Sequence, residues 1–129
     1  MKVMVLGGDG FAGWPTSLRL SNLGHEIMIV DNLSRRNIDN ELQAYSLTPI
    51  AAPDQRIQAW KEATGKEIEF RNIDIAEQYE VFLDALREFA PDAMIHFAEQ
   101  RAAPYSMKSS WHKRYTVDNN MNATNNVLN

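Results

Sequence analysis

One segment constrains this chain more than any other. Gly7-Gly8-Asp9-Gly10-Phe11-Ala12-Gly13 sits between a short apolar run, Val3 to Leu6, and a stretch in which Leu18, Leu20 and Leu23 recur at helical spacing. An apolar run bounded by glycine reads as a buried strand. Glycine permits a sharp strand-to-helix turn and lets the helix backbone pack closely on the strand. Gly24 then closes the helix, and a second apolar strand, Ile27 to Val30, ends in Asp31-Asn32. Strand, glycine turn, helix and strand within about thirty residues is the size of one βαβ unit.

The rest of the chain continues the alternation. Residues 32–66 are less regular, with Pro49 and Pro53 as punctuation and one amphipathic helix over Gln55 to Ala63. Ile68 to Ile73 alternates as a third strand and leads into Asp74. Val81, Phe82, Ala85, Leu86 and Phe89 form a helical stripe over Tyr79 to Phe89, which Pro91 stops. Ala93 to Phe97 reads as a fourth, buried strand, and from Trp111 onward the sequence reads as helix up to Asn129. This order predicts an α/β fold, a Rossmann-type doubly wound parallel sheet with helices on both faces. The last helix carries no closing signal, so the fold is expected to be truncated, residues 1–129 being the N-terminal part of a nucleotide-binding domain.

Composition narrows the function classes. With 129 residues, 44% hydrophobic and 23% charged, one ordinary globular domain is expected. A formal net charge of −4 argues against nucleic acid and anionic membrane surfaces as partners. No apolar run approaches the ~18 residues of a membrane span. Cysteine is absent, which excludes a thiol nucleophile and fits a reducing compartment, and the cytoplasm is the expected location. His25 and His112 belong to no cluster with metal-ligand spacing, so no metal is expected.

The glycine turn satisfies two spacings, Gly8/Gly10/Gly13 and Gly7/Gly10/Gly13. Either lets backbone approach a pyrophosphate at a helix N-terminus, whose free N–H groups and dipole favour anions. Asp31 ends the second strand where a carboxylate accepts hydrogen bonds from adenosine ribose hydroxyls and repels a 2′-phosphate, which favours NAD over NADP. Arg35 and Arg36 stand nearby as the kind of residue that accommodates such a phosphate; a solvated loop is the other reading. Asp74 either faces an adenine or caps the segment after it. His96 reads as a hydrogen-bonded structural histidine. Glu99, Gln100 and Arg101 emerge at the sheet's ligand edge, where Arg101 either holds an oxyanion through paired donors or makes a surface ion pair.

Four stretches together carry a family resemblance: Gly-Gly-Asp-Gly-Phe-x-Gly-Trp at 7–14, Asp-Asn-Leu-Ser-Arg-Arg at 31–36, Ser-Leu-Thr-Pro-Ile at 46–50 and His-Phe-x-Glu-Gln-Arg-x-Ala-Pro-Tyr-Ser-Met at 96–107. They resemble the UDP-sulfoquinovose synthases, a branch of the extended short-chain dehydrogenase/reductases and of the NAD-dependent epimerases and dehydratases. The resemblance implies tightly held NAD, UDP-glucose and sulfite as substrates, a 4-keto intermediate, sulfite addition at C6, and a homodimer. By position it implies that Gly7, Gly10, Phe11, Ala12 and Gly13 line the pyrophosphate. Asp31, Asn32 and Arg35 would hold the adenosine ribose side, and Asp74 with Ile75 the adenine. Gln100 would approach the nicotinamide half, Asn119 would organise the site, and Arg101 and Tyr105 would face the sugar nucleotide or sulfite. The family's Tyr-x-x-x-Lys pair is missing, because none of Tyr45, Tyr79, Tyr105 or Tyr115 has a lysine four residues later. The catalytic residues are therefore expected downstream, and these 129 residues alone are expected to be inactive. A sugar-nucleotide epimerase or dehydratase, or a non-catalytic NAD-sensing module, are the competing readings.

Overall fold

A computed structural model describes residues 1–101 and 103–129. Its centre is a parallel sheet of four strands: β1 (Lys2–Leu6), β2 (Glu26–Asp31), β3 (Ile68–Asn72) and β4 (Ala93–His96), in the spatial order β3-β2-β1-β4. The register pairs Leu6 with Val30 and with His96, and Asp31 with Asn72, so all four carboxyl ends finish at one edge. The helices are α1 (Gly13–Asn22), α2 (Ser34–Glu41), α3 (Pro53–Thr64), α4 (Tyr79–Phe89) and α5 (Ser110–Leu128), with a 3-10 turn at Tyr105–Met107.

Alternation along the two central strands divides the core. Val3, Val5, Ile27 and Ile29 point to one face, where Trp14 and Leu18 of α1 and Ile57 and Trp60 of α3 cover them. Met4, Leu6, Met28 and Val30 point to the other, under Phe82, Ala85 and Phe89 of α4 and Ala123 of α5. This is the doubly wound architecture expected from the βα alternation.

Several local expectations change. The inner stripe of α1 is Gly13, Ser17 and Ser21 rather than leucine; Leu18 and Leu20 flank it, and Leu23 is 55% exposed at the helix end. Small residues at that spacing let the helix approach the sheet, and Ser21 also accepts a hydrogen bond from Trp60 Nε1–H at 2.9 Å, tying α3 to α1. The helix α2 stands where the sequence showed no periodicity: its eight residues carry only Ile38 as a buried position. Ala93 to Phe97 was expected to be a buried strand; within residues 1–129 β4 is the outermost of the four strands, and Met94 and, just past the strand's end, Phe97 are substantially exposed. In α4, Val81 lies outside the stripe that Phe82, Ala85 and Phe89 bury. Among the described residues no helix is long and apolar enough to cross a membrane.

Phe82 is fully buried where α4 meets the sheet. Phe82→Ala should cost ~3–5 kcal/mol in urea unfolding, from lost burial and a cavity. Val81→Ala, one position along on the exposed side, should cost under ~1 kcal/mol. Equal effects would place α4 in the wrong rotation.

Candidate functional site

At the carboxyl edge of the sheet the loops after all four strands surround a cavity of about 670 Å³. Gly7 to Gly13 without Gly8 form one wall, Asp31, Asn32 and α2 a second, Ile73 to Ile75 a third, and Phe97 to Arg101 with Tyr105 and Asn119 the last. Every residue that the family resemblance assigned to cofactor or substrate thus lines the same space.

Packing separates the two possible glycine spacings. A side-chain carbon on Gly8 would strike Ile29, 2.5 Å away, so Gly8 faces the core. Gly7, at φ +78°, turns the chain against β4, and a Cβ there would lie 2.6 Å from Phe97 C. A Cβ on Gly13 would overlap Gly7 O. Gly10 is the least crowded of the four turn glycines: a Cβ there would meet Gly7 O at 3.3 Å, tight but free of overlap. The Gly7/Gly10/Gly13 frame therefore faces the cavity. No side chain caps the N-terminus of α1. Trp14 N–H turns back onto Gly10 O at 3.1 Å and Pro15 carries no N–H, so the positive end of the helix dipole, more than a row of free amides, is what the turn offers an anion.

Asp31 is the most constrained acid at the site. Its Oδ1 accepts from Leu33 N–H at 2.8 Å and its Oδ2 from Asp9 N–H at 2.9 Å. Burial pushes its carboxyl above the ordinary carboxylate value, against the opposing pull of those two backbone donors. Each oxygen retains a lone pair for a hydroxyl group on the cavity side.

Behind Asp31 lies an ionic cluster that the sequence did not reveal. Arg36 grips the Asp9 carboxylate with Nε at 2.7 Å and Nη2 at 2.8 Å, and Arg56 of α3 adds Nη1 at 3.0 Å. The Arg56 guanidinium stacks on Trp14 with 3.9 Å to the ring centroid. Arg36 is thus neither in a solvated loop nor facing the cavity. Arg35 does line the cavity and pairs with Asp39 at 3.5 Å.

Asp74 caps the segment after it and also lines the cavity. Its Oδ1 accepts from Ala76 and Glu77 N–H, turning the chain before α4, and its Oδ2 accepts from Asn32 Nδ2 at 3.0 Å on the cavity wall. Gln100 donates from Nε2 to Ser34 Oγ at 2.7 Å. Its main chain is clasped by Asn120, which accepts from Gln100 N–H at 2.6 Å and donates to Gln100 O at 3.0 Å. Asn120 was not singled out from sequence; its neighbour Asn119 was, and is buried beside it. Arg101 stands 65% exposed at the rim, Nη2 3.0 Å from Asp39. Tyr105 is 6% exposed, edge-on to His112 and Tyr115. His96 accepts from Ala98 N–H at 3.4 Å through Nδ1 and sets Nε2 2.9 Å from Glu99, without the alignment of a hydrogen bond.

A crevice at the carboxyl ends of parallel strands, with a glycine turn and an acid on the next strand, defines the dinucleotide-binding class of Rossmann folds. The model of the NAD dependent epimerase/dehydratase family matches residues 3–129, and the chain belongs to that family. Within it, the chain is 46% identical over 127 residues to the chloroplastic UDP-sulfoquinovose synthase of Spinacia oleracea, which covers 98% of this chain and 26% of the relative. It is 44% identical to the UDP-sulfoquinovose synthase of Sulfolobus acidocaldarius, over 99% of this chain and 32% of the relative. The chain therefore spans between a quarter and a third of these relatives. Among solved structures, UDP-glucose 4-epimerase from Bifidobacterium longum in complex with NAD+ and UDP superposes with a TM-score of 0.71 at 23% identity, covering 99% of this chain and 32% of that one. That likeness shows the shared fold.

The glycine packing makes a distinction that thermal unfolding can read. Gly13→Ala should destabilise by at least ~2 kcal/mol because its Cβ has nowhere to go. Gly10→Ala should fold with close to wild-type stability. If both variants unfold alike, the turn is not packed as described.

Proposed function

We propose that this chain is the NAD-holding part of a UDP-sulfoquinovose synthase, which joins UDP-glucose and sulfite. The observation that carries the reading is the convergence on one cavity of an uncapped helix N-terminus, a buried strand-end acid and Gln100. The identity with two synthases across the whole chain supports the choice within the family.

The residues fit the dinucleotide. Gly7, Gly10, Phe11, Ala12 and Gly13, all of which line the cavity, would run along the pyrophosphate. Asp31, with Asn32 and Arg35 beside it, would take the adenosine ribose. Asp74 and Ile75 would flank the adenine, the Asp74 carboxylate being held in place by Asn32. Gln100, fixed at its main chain by Asn120, and Asn119 would border the nicotinamide side. When bound, NAD supplies a hydride acceptor and donor for the sugar C4 position. The tyrosine base that such chemistry needs is assigned to the part of the protein beyond residue 129 in the relatives' lengths, where the sugar-nucleotide domain and a homodimer contact would also lie. A cytoplasmic location rests only on the cysteine-free composition.

Arg101 and Tyr105 are assigned to the sugar nucleotide and sulfite. Sulfite is an anion that must approach a substrate already carrying a diphosphate, and a fixed guanidinium offsets that repulsion. Asp39 orients Arg101 at the rim without burying it. The competing activity is 4-epimerisation, since relatives at 30–33% identity are UDP-glucose 4-epimerases.

The test is formation of UDP-sulfoquinovose by the whole protein across a sulfite titration. Wild type should make the product, and Arg101→Ala should weaken use of sulfite by about ten- to a hundredfold, the scale of one charge-assisted contact. A wild-type protein that only interconverts UDP-glucose and UDP-galactose would transfer the assignment to the epimerases.

A further inference from the structure

Arginine near the end of the second strand is how Rossmann sites accommodate the 2′-phosphate of NADP. This chain places Arg36 there and brings Arg56 alongside it from α3, yet neither guanidinium lines the cavity. All three Arg36 side-chain nitrogens are engaged: Nε and Nη2 on the Asp9 carboxylate, Nη2 also on Ala51 O at 2.9 Å, and Nη1 on Ile50 O at 3.4 Å. Arg56 gives Nη1 to both Asp9 Oδ1 and Asp9 O, with its plane closed off by Trp14. The Asp9 side chain is only 8% exposed, and its backbone N–H is bound to Asp31. Two guanidiniums and two carboxylates thus meet directly behind the ribose position, so their formal charges cancel and Arg36 points its donors away from the cavity.

We infer that Asp9 is a specificity-determining residue: by holding Arg36 and Arg56 it withholds the cations a 2′-phosphate would need, and so excludes NADP together with Asp31. The inference rests on the cofactor reading above and assigns it a second determinant. Asp31 excludes the phosphate by like charge. Asp9 acts differently, by engaging the donors that would otherwise receive it, because a phosphate dianion is bound through paired guanidinium N–H groups rather than by net charge alone. Removing Asp31 alone leaves the Asp9–Arg36 pair intact, so the phosphate gains neither Arg36 nor Arg56 and meets only Arg35, whose Nε pairs with Asp39 at 3.5 Å.

The experiment titrates the whole protein and its variants, first stripped of any retained nucleotide, with NADH and NADPH, following nicotinamide fluorescence, with cooperative thermal unfolding as the control for folding. Asp31→Ser should raise NADPH affinity only slightly. Adding Asp9→Asn should raise it by a further factor of about ten to a hundred, as the released guanidiniums reach the phosphate. Arg36→Ala in that double variant should remove the gain. A separate comparison leaves Asp9 untouched and so covers the case in which Asp9→Asn does not fold: in the Asp31→Ser background, Arg36→Ala should leave NADPH affinity unchanged, because Arg36 is already engaged. The inference is overturned if Asp31→Ser alone brings NADPH level with NADH, if the double variant's gain survives loss of Arg36, or if Arg36→Ala weakens NADPH in the Asp31→Ser background. A wild-type protein that binds neither dinucleotide would overturn the cofactor reading and this inference with it. Normal NADH binding with no effect of Asp9 would overturn this inference alone.

Discussion

The close approach of two backbone segments, the start of α1 and the end of β1, sets the geometry from which the site follows. Gly13 packs on Gly7 and Gly8 with no room for a side chain, and Gly7 in turn lies against the Phe97–Ala98 backbone. That contact draws three elements to one point: the first helix, the central strand and the edge strand β4. It also aims the N-terminus of α1 at the space above the sheet. Only glycine on both sides allows the approach, so the turn serves packing first and ligand binding as a consequence.

From that point the polar groups at the carboxyl edge form a connected series. Asp9 leaves the turn and gives its N–H to Asp31; Asp31 accepts also from Leu33, at the start of α2. Ser34, on α2, receives Gln100 from the loop after β4, and Asn120 on α5 fixes the Gln100 main chain. These side-chain links add to the backbone bonds that continue the ladder past the strand ends, Gly7 N–H to Val30 O and Phe97 N–H to Leu6 O. Asp31, the acid we propose to read the ribose, has both of its oxygens already anchored by backbone donors, the pre-organisation a selective site requires.

How much of this was legible depended on the range of the information. The four strands, α4 and α3 follow from local apolar spacing, and Tyr79 to Phe89 is the helix the stripe and Pro91 predict. The helix α2 was missed because Ser-Arg-Arg-Asn-Ile-Asp-Asn-Glu has a single buried apolar position; contacts at its ends, not its own pattern, hold it. Ala93 to Phe97 resembles a central strand in composition; among the four strands of residues 1–129 it is the outermost. The cavity-lining residues were found because motif spacing and family resemblance both mark them. Their supports were not: Arg36 and Arg56 lie 27 and 47 residues from Asp9, and Asn120 lies 20 from the Gln100 it clasps. Nothing local distinguishes such polar residues from solvated ones.

The central claim is that the carboxyl edge of this sheet holds a dinucleotide whose adenosine ribose is read by Asp31. The most direct measurement is to purify the whole protein without added nucleotide, denature it, and identify what is released by chromatography and mass. The account predicts NAD(H), retained through purification and absent from a Gly10→Val preparation, in which a branched side chain would occupy the pyrophosphate path. Recovery of mainly NADP(H), or equal recovery of NAD(H) from the Gly10→Val protein, would contradict it.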